Sequence, residues 1–163
     1  MRRAWLVGNA LWLQAGWWGC VLGASYPGLL AAVLGGLLVH LWLCRQTLSE
    51  VWVLLRVGLA GCALDTLLGV LGVFHFSAWP LPGWLALLWL VLASGMRHSL
   101  AWLGHPVWLA VVCGLVGGPL AYLAGARLAG VDLPLGTLPT ALLLAVIWAV
   151  WFPLCLRLAR PDT

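Results

Sequence analysis

Residues 51–73 read VWVLLRVGLAGCALDTLLGVLGV, an unbroken run whose only charges are Arg56 and Asp65. A helix needs about 20 mostly apolar residues to cross the hydrocarbon core of a bilayer. The apolar residues here are continuous rather than alternating, so the run predicts a membrane-spanning helix and not a barrel strand. At 3.6 residues per turn, Gly58, Gly61, Asp65, Gly69 and Gly72 fall within about 80° of one face. Small residues so placed let helix backbones approach closely. A carboxylate among them costs about 2.5–3.5 kcal/mol on insertion scales unless it is neutral or paired. Asp65 is therefore the first candidate functional residue: a proton, cation or head-group site, or a hydrogen bond that holds two helices together.

The rest of the chain follows the same pattern. Of its 163 residues 64% are hydrophobic and 7% charged, and the mean hydropathy is +1.08. A soluble domain carries about 25% charged residues. That excludes a soluble enzyme, a disordered chain and a disulfide-stapled secreted domain. Punctuation by proline, glycine and charge predicts six spanning helices near 4–24, 27–44, 51–73, 83–101, 107–128 and 139–158, forming a single all-α integral membrane domain over 1–163. Short connections make consecutive helices antiparallel neighbours. A cleavable signal peptide is not expected, because the run after Arg2 and Arg3 is long, tryptophan-rich and interrupted by Asn9 and Gln14. Glycine stripes on the first, third and fifth helices place those three at the centre. Leucine at Gly61 or Gly118 should disrupt folding more than leucine at Gly130, which falls in a predicted loop.

The net charge of +4 comes from arginine alone. With the N-terminus inside, Arg2, Arg3, Arg45, Arg56, Arg97, Arg157 and Arg160 fall on or near the cytoplasmic side, and Arg127 falls outside. That bias predicts both termini in the cytoplasm. Nucleic acid is not an expected partner, since these arginines end apolar segments and meet lipid head groups instead. The five cysteines lie within apolar stretches and contain no C-x-x-C pair, which favours packing over redox chemistry.

Two polar layers emerge. Tyr122 in the fifth helix lies at nearly the depth of Asp65 and is placed to donate a hydrogen bond to it. Nearer the cytoplasmic surface come Asn9, Arg56, Ser94, Arg97, His98 and Ser99, with Arg56 able to snorkel to the interface and His98 suited to proton transfer by its ordinary pKa near 6.5. The binding candidates are thus Asp65, Tyr122, Asn9, Gln14, His98 and Ser99. No histidine pair stands at i, i+4, so a di-iron histidine box cannot be built. The four acids are too dispersed for a magnesium-dependent phospho-alcohol transferase. Ser94 and His98 share one helix, with no third group to orient them as a hydrolase requires. No metal and no cofactor are expected.

Asn9 with Gln14, Glu50 and Asp65, Trp84 to Trp89, His98-Ser99-Leu100-Ala101-Trp102, the block Gly117 to Gly125, and Trp148 to Pro153 together resemble a bacterial inner-membrane family. That family is domain of unknown function 2878, and the resemblance covers nearly the whole chain. It implies an inner-membrane location and carries no activity. The leading expectation is a multi-pass protein that binds or moves a lipid-like or small amphipathic molecule. A non-catalytic assembly subunit with a membrane-protein partner or a second copy is the alternative. Third comes a lipid-modifying enzyme with His98 as acid and base.

Overall fold

The computed structural model describes residues 2–160. Residues 1 and 161–163 and the side chain of Arg2 lie outside the described residues, so the contribution of Arg2 to the arginine bias does too. Six α-helices follow one another: α1 (Arg2–Gly23), α2 (Gly28–Leu43), α3 (Thr47–Val70), α4 (Gly83–Met96), α5 (Val107–Ala129) and α6 (Thr137–Leu158), with a 3₁₀ turn at Ala101–Gly104. By length and composition α3, α5 and α6 can each cross a membrane. At about 1.5 Å per residue α2 and α4 reach only about 24 and 21 Å, against a hydrocarbon core of about 30 Å. α1 is long enough, but Arg3, Asn9 and Gln14 dilute it.

Three helix boundaries differ from the sequence expectation by three residues or more, each for a local reason. α4 stops at Met96 rather than 101, because the Gly95 carbonyl accepts the N–H groups of both His98 and Leu100 and the chain turns there. α3 starts at Thr47 rather than 51, with the Glu50 N–H on the Gln46 carbonyl. Glu50 is thereby drawn from a predicted loop onto the first turn of the helix. The same helix ends at Val70 rather than 73, two residues before Gly72, whose φ of +76° no spanning helix can continue through.

The centre of the bundle is α4, not α1, α3 and α5 together. It packs against α1, α2, α3 and α6, and it buries Trp84, Leu85, Trp89, Val91 and Ala93 to Met96. α5 and α6 pack chiefly on each other. The glycine faces explain both facts. On α3, Gly58 faces Leu90 and Gly61 faces the Trp89 ring, while Gly16 of α1 faces Val91. On α5, Gly114 lies against the Trp148 carbonyl and Gly118 against the Trp148 ring. The outer faces stay apolar: Leu59, Val146 and Val150 are each more than two-thirds exposed, and Leu38 and Trp42 continue that surface on α2. A soluble bundle would hide such residues; lipid does not require it.

Gly130 is not the neutral position its loop suggested. Nothing crowds it, yet it caps α5 with φ at +67°, where its N–H bonds the Ala126 carbonyl. A side chain there meets backbone strain of about 1–2 kcal/mol whatever the free space.

Candidate functional site

Asp65 is fully buried on α3. Tyr122 of α5 donates its hydroxyl proton to Oδ1 at 2.6 Å, the bond that matched helix depths led one to expect. The Trp89 indole of α4 donates to Oδ2, also at 2.6 Å. Sequence reasoning missed Trp89, since nothing in the periodicity of α4 marks one tryptophan among several as the partner. Each carboxylate oxygen thus takes one donor, and one side chain ties three helices. The rings it holds extend the network further. Trp89 stacks on Trp148 of α6 with centroids 5.6 Å apart and planes at 9°, and Tyr122 stacks on Phe74 at 5.5 Å.

These rings wall a cavity of about 310 Å³ along the seam between α1–α4 and the α5–α6 hairpin. Its walls are apolar. Leu13 and Trp17 of α1 face it from one side, and Cys113, Gly117 and Ala121, at successive turns of α5, line the other. This smooth stripe lies next to the Gly114–Gly118 stripe, which α6 covers. Tyr122 and the tryptophans Trp17, Trp84, Trp89 and Trp148 are its polar-tipped lining residues. The Trp148 Nε1–H is buried and meets no acceptor at full hydrogen-bond geometry among the described residues, but it lies close enough to the Tyr122 hydroxyl to interact with it.

The second polar layer divides into two groups. Asn9 is buried; its amide donates to the Ser94 carbonyl at 3.1 Å, and its Oδ1 accepts from the Ser99 N–H and hydroxyl at 3.1 and 2.6 Å. Asn9 and Ser99 therefore staple α1 to the turn that ends α4, with their hydrogen-bonding capacity largely spent. The Trp12 indole donates to the Ser94 hydroxyl, which donates in turn to the Val91 carbonyl at 2.7 Å, so Ser94 does not engage His98. Gln14 is exposed on α1 and joins neither group.

His98 belongs to the other group. Its Nδ1 accepts from the Trp5 indole at 3.1 Å, and its Nε2 lies 3.3 Å from Oε1 of Glu50. The same oxygen lies 3.1 Å from Nε2 of His40, while Arg97 approaches Oε2 at 3.7 Å. Arg97 is also held by the Ser49 hydroxyl at 2.7 Å and by Gln46 at 3.3 Å. The Cys44 sulfur stands 3.6 Å from His40 Nε2 and 3.9 Å from His98 Nε2. Glu50 is only 2% exposed and His40 only 5%. Sequence reading proposed none of His40, Cys44 and Glu50 as site residues. A signal existed: His40 and Cys44 stand at i, i+4 and share one helix face. Glu50 lies 15 residues before Asp65 on α3, so about 22 Å separates the two polar sites along the helix.

No curated protein and no solved structure matches this chain. A family match covers residues 6–154, nearly its whole length. The chain therefore belongs to the family described as "Protein of unknown function (DUF2878)", a family whose description assigns no activity.

Proposed function

We propose that this membrane protein binds a lipid-like or small amphipathic molecule in the cavity at the α5 seam. The observation that carries the reading is the cavity itself, about 310 Å³ of apolar-walled space bordered by Tyr122 and by the tryptophans Trp17, Trp84, Trp89 and Trp148. Ligand sites of a few hundred Å³ combine such walls with a few placed polar groups. An acyl or isoprenoid-like chain would fill the apolar space. Asp65 acts here as a positioning residue, because it fixes the Trp89 and Tyr122 rings. The test is native mass spectrometry of the full chain, gently extracted from its own membrane. One amphipathic molecule per chain is expected on the wild type, and Ala121→Trp, which places an indole in the cavity, should lose it at unchanged thermal stability. Equal occupancy in both proteins, or a second protein bound and no small molecule, would overturn the reading in favour of an assembly role.

We further propose that all six helices lie within the bacterial inner membrane with both termini cytoplasmic. The antiparallel order, the arginine bias and the apolar outer faces of α1 and α2 support this. The short α4 is surrounded by protein and need not meet lipid over a full thickness. Reporter fusions after Arg45 and Pro106 should read cytoplasmic, and fusions near Trp79 and Asp132 external. An external signal from a C-terminal fusion would reject the arrangement.

A further inference from the structure

The second buried cluster offers four donor atoms of mixed type at one point, contributed by three different segments. His40 and Cys44 come from the end of α2, Glu50 from the first turn of α3, and His98 from the turn that ends α4. All four ligand atoms lie within 4.8 Å of one another. We infer that His40, Cys44, Glu50 and His98 form a binding site for a divalent transition-metal ion, with zinc as the best fit.

The geometry is the first argument. Zinc bond lengths of about 2.0–2.2 Å to nitrogen and oxygen and about 2.3 Å to sulfur give tetrahedral edges of about 3.3 Å (N to O) and about 3.6 Å (N to S). The observed N to O separations are 3.1 and 3.3 Å, and the N to S separations are 3.6 and 3.9 Å. Four of the six edges thus lie within a few tenths of an ångström of tetrahedral values, and the other two are at most 4.8 Å.

Donor chemistry is the second. Two imidazoles, a thiol and one carboxylate suit zinc and its neighbours, whereas magnesium and calcium require mostly oxygen ligands. Coordination would make Cys44 a thiolate, releasing a proton, so the ligands would carry two negative charges against the ion's two positive ones. Glu50 presents Oε1 to the site while Arg97 engages Oε2, and Ser49 and Gln46 hold Arg97 in turn. An outer partner of this kind fixes a ligand's orientation.

His98 indicates how the metal-free site would respond. An indole N–H can only donate, so the Trp5 bond places the single proton of a neutral His98 on Nε2, facing Glu50. An ion on Nε2 displaces that proton to Nδ1, and Trp5 must then release its acceptor. Metal entry is thereby coupled to the start of α1.

The test uses the full chain in detergent after chelation, titrated with Co²⁺ and then Zn²⁺. One Co²⁺ per chain is expected, with tetrahedral visible bands and a thiolate charge-transfer band, both bleached by Zn²⁺. Cys44→Ser should remove the charge-transfer band and weaken binding by more than the about 10–100-fold typical of losing an outer partner. Cys62→Ser, outside both the cluster and the cavity wall, should change nothing. The indole N–H resonance of Trp5 should shift on binding. No stoichiometric binding to the folded wild type, or an unchanged cobalt spectrum in folded Cys44→Ser, would reduce the cluster to a hydrogen-bonded ion pair. Either result leaves the cavity reading untouched, because the two sites share no residue.

Discussion

Asp65→Ala is expected to lower unfolding stability by about 2–6 kcal/mol, while Asp65→Asn stays within about 1 kcal/mol of wild type. The alanine variant leaves the buried Trp89 indole and the part-buried Tyr122 hydroxyl without the acceptor each has at 2.6 Å. Each orphaned donor costs about 1–3 kcal/mol. A membrane reference state in which unfolded helices also find partners pulls the total toward the lower half of that range. Asparagine differs because its carbonyl still accepts from Trp89, and its amide can donate to the Tyr122 oxygen once that hydroxyl turns. Three helices therefore stay tied. Thermal unfolding in one detergent for all three proteins provides the measurement. If alanine were as stable as asparagine, the buried carboxylate would hold nothing together. The same pair separates packing from function, since a stable Asp65→Asn that loses the cavity-bound molecule would show that binding requires a carboxylate.

The fold was legible where it depends on periodicity and punctuation. Apolar runs set the number of helices, and the glycine stripe of α3 marked the face that carries Asp65. The partner across that face was only half legible. Tyr122 could be found because α3 and α5 run parallel, so residue counts translate into depth. Trp89 lies on an antiparallel helix among several tryptophans, and no local pattern singles it out. The centrality of α4 was hidden for a related reason. An all-apolar segment has no polar face to report its orientation, so its burial follows from what neighbouring glycines admit. The histidine cluster illustrates a different limit. His40 with Cys44, Glu50 and His98 are ordinary in isolation, and they converge only because α3 begins a turn earlier and α4 stops a turn sooner than hydropathy suggests. Helix ends are decided by single hydrogen bonds, such as those onto the Gly95 carbonyl, to which a hydropathy average is blind.

Gly114→Leu should destabilise the protein by about 3 kcal/mol or more, at the upper end of what overpacking costs, while Gly117→Ala should be neutral or stabilising by up to about 1 kcal/mol. Both glycines sit in α5, so either substitution gains helix propensity of similar size. What differs is the opposing surface. A Cβ on Gly114 would overlap the backbone carbonyl oxygen of Trp148, which no rotamer change can move, and would crowd the Phe152 Cβ at 3.0 Å. Relief requires α5 and α6 to separate, and these two helices pack mainly on each other. A Cβ on Gly117 meets nothing within 4 Å, because that residue faces the cavity. Gly118 falls between them: its obstacles are the Trp148 ring and Cβ, so relief costs the stack on Trp89 and a small shift of that residue, but no backbone carbonyl is struck. Gly130→Leu joins this series through backbone strain alone and should lose about 1–2 kcal/mol. The expected order of unfolding temperatures is Gly117→Ala highest, then Gly130→Leu, then Gly118→Leu, with Gly114→Leu lowest. Equal tolerance at Gly114 and Gly117 would mean that α5 does not rest on α6 through this stripe. The cavity at their seam would then lose the wall that Trp148 provides.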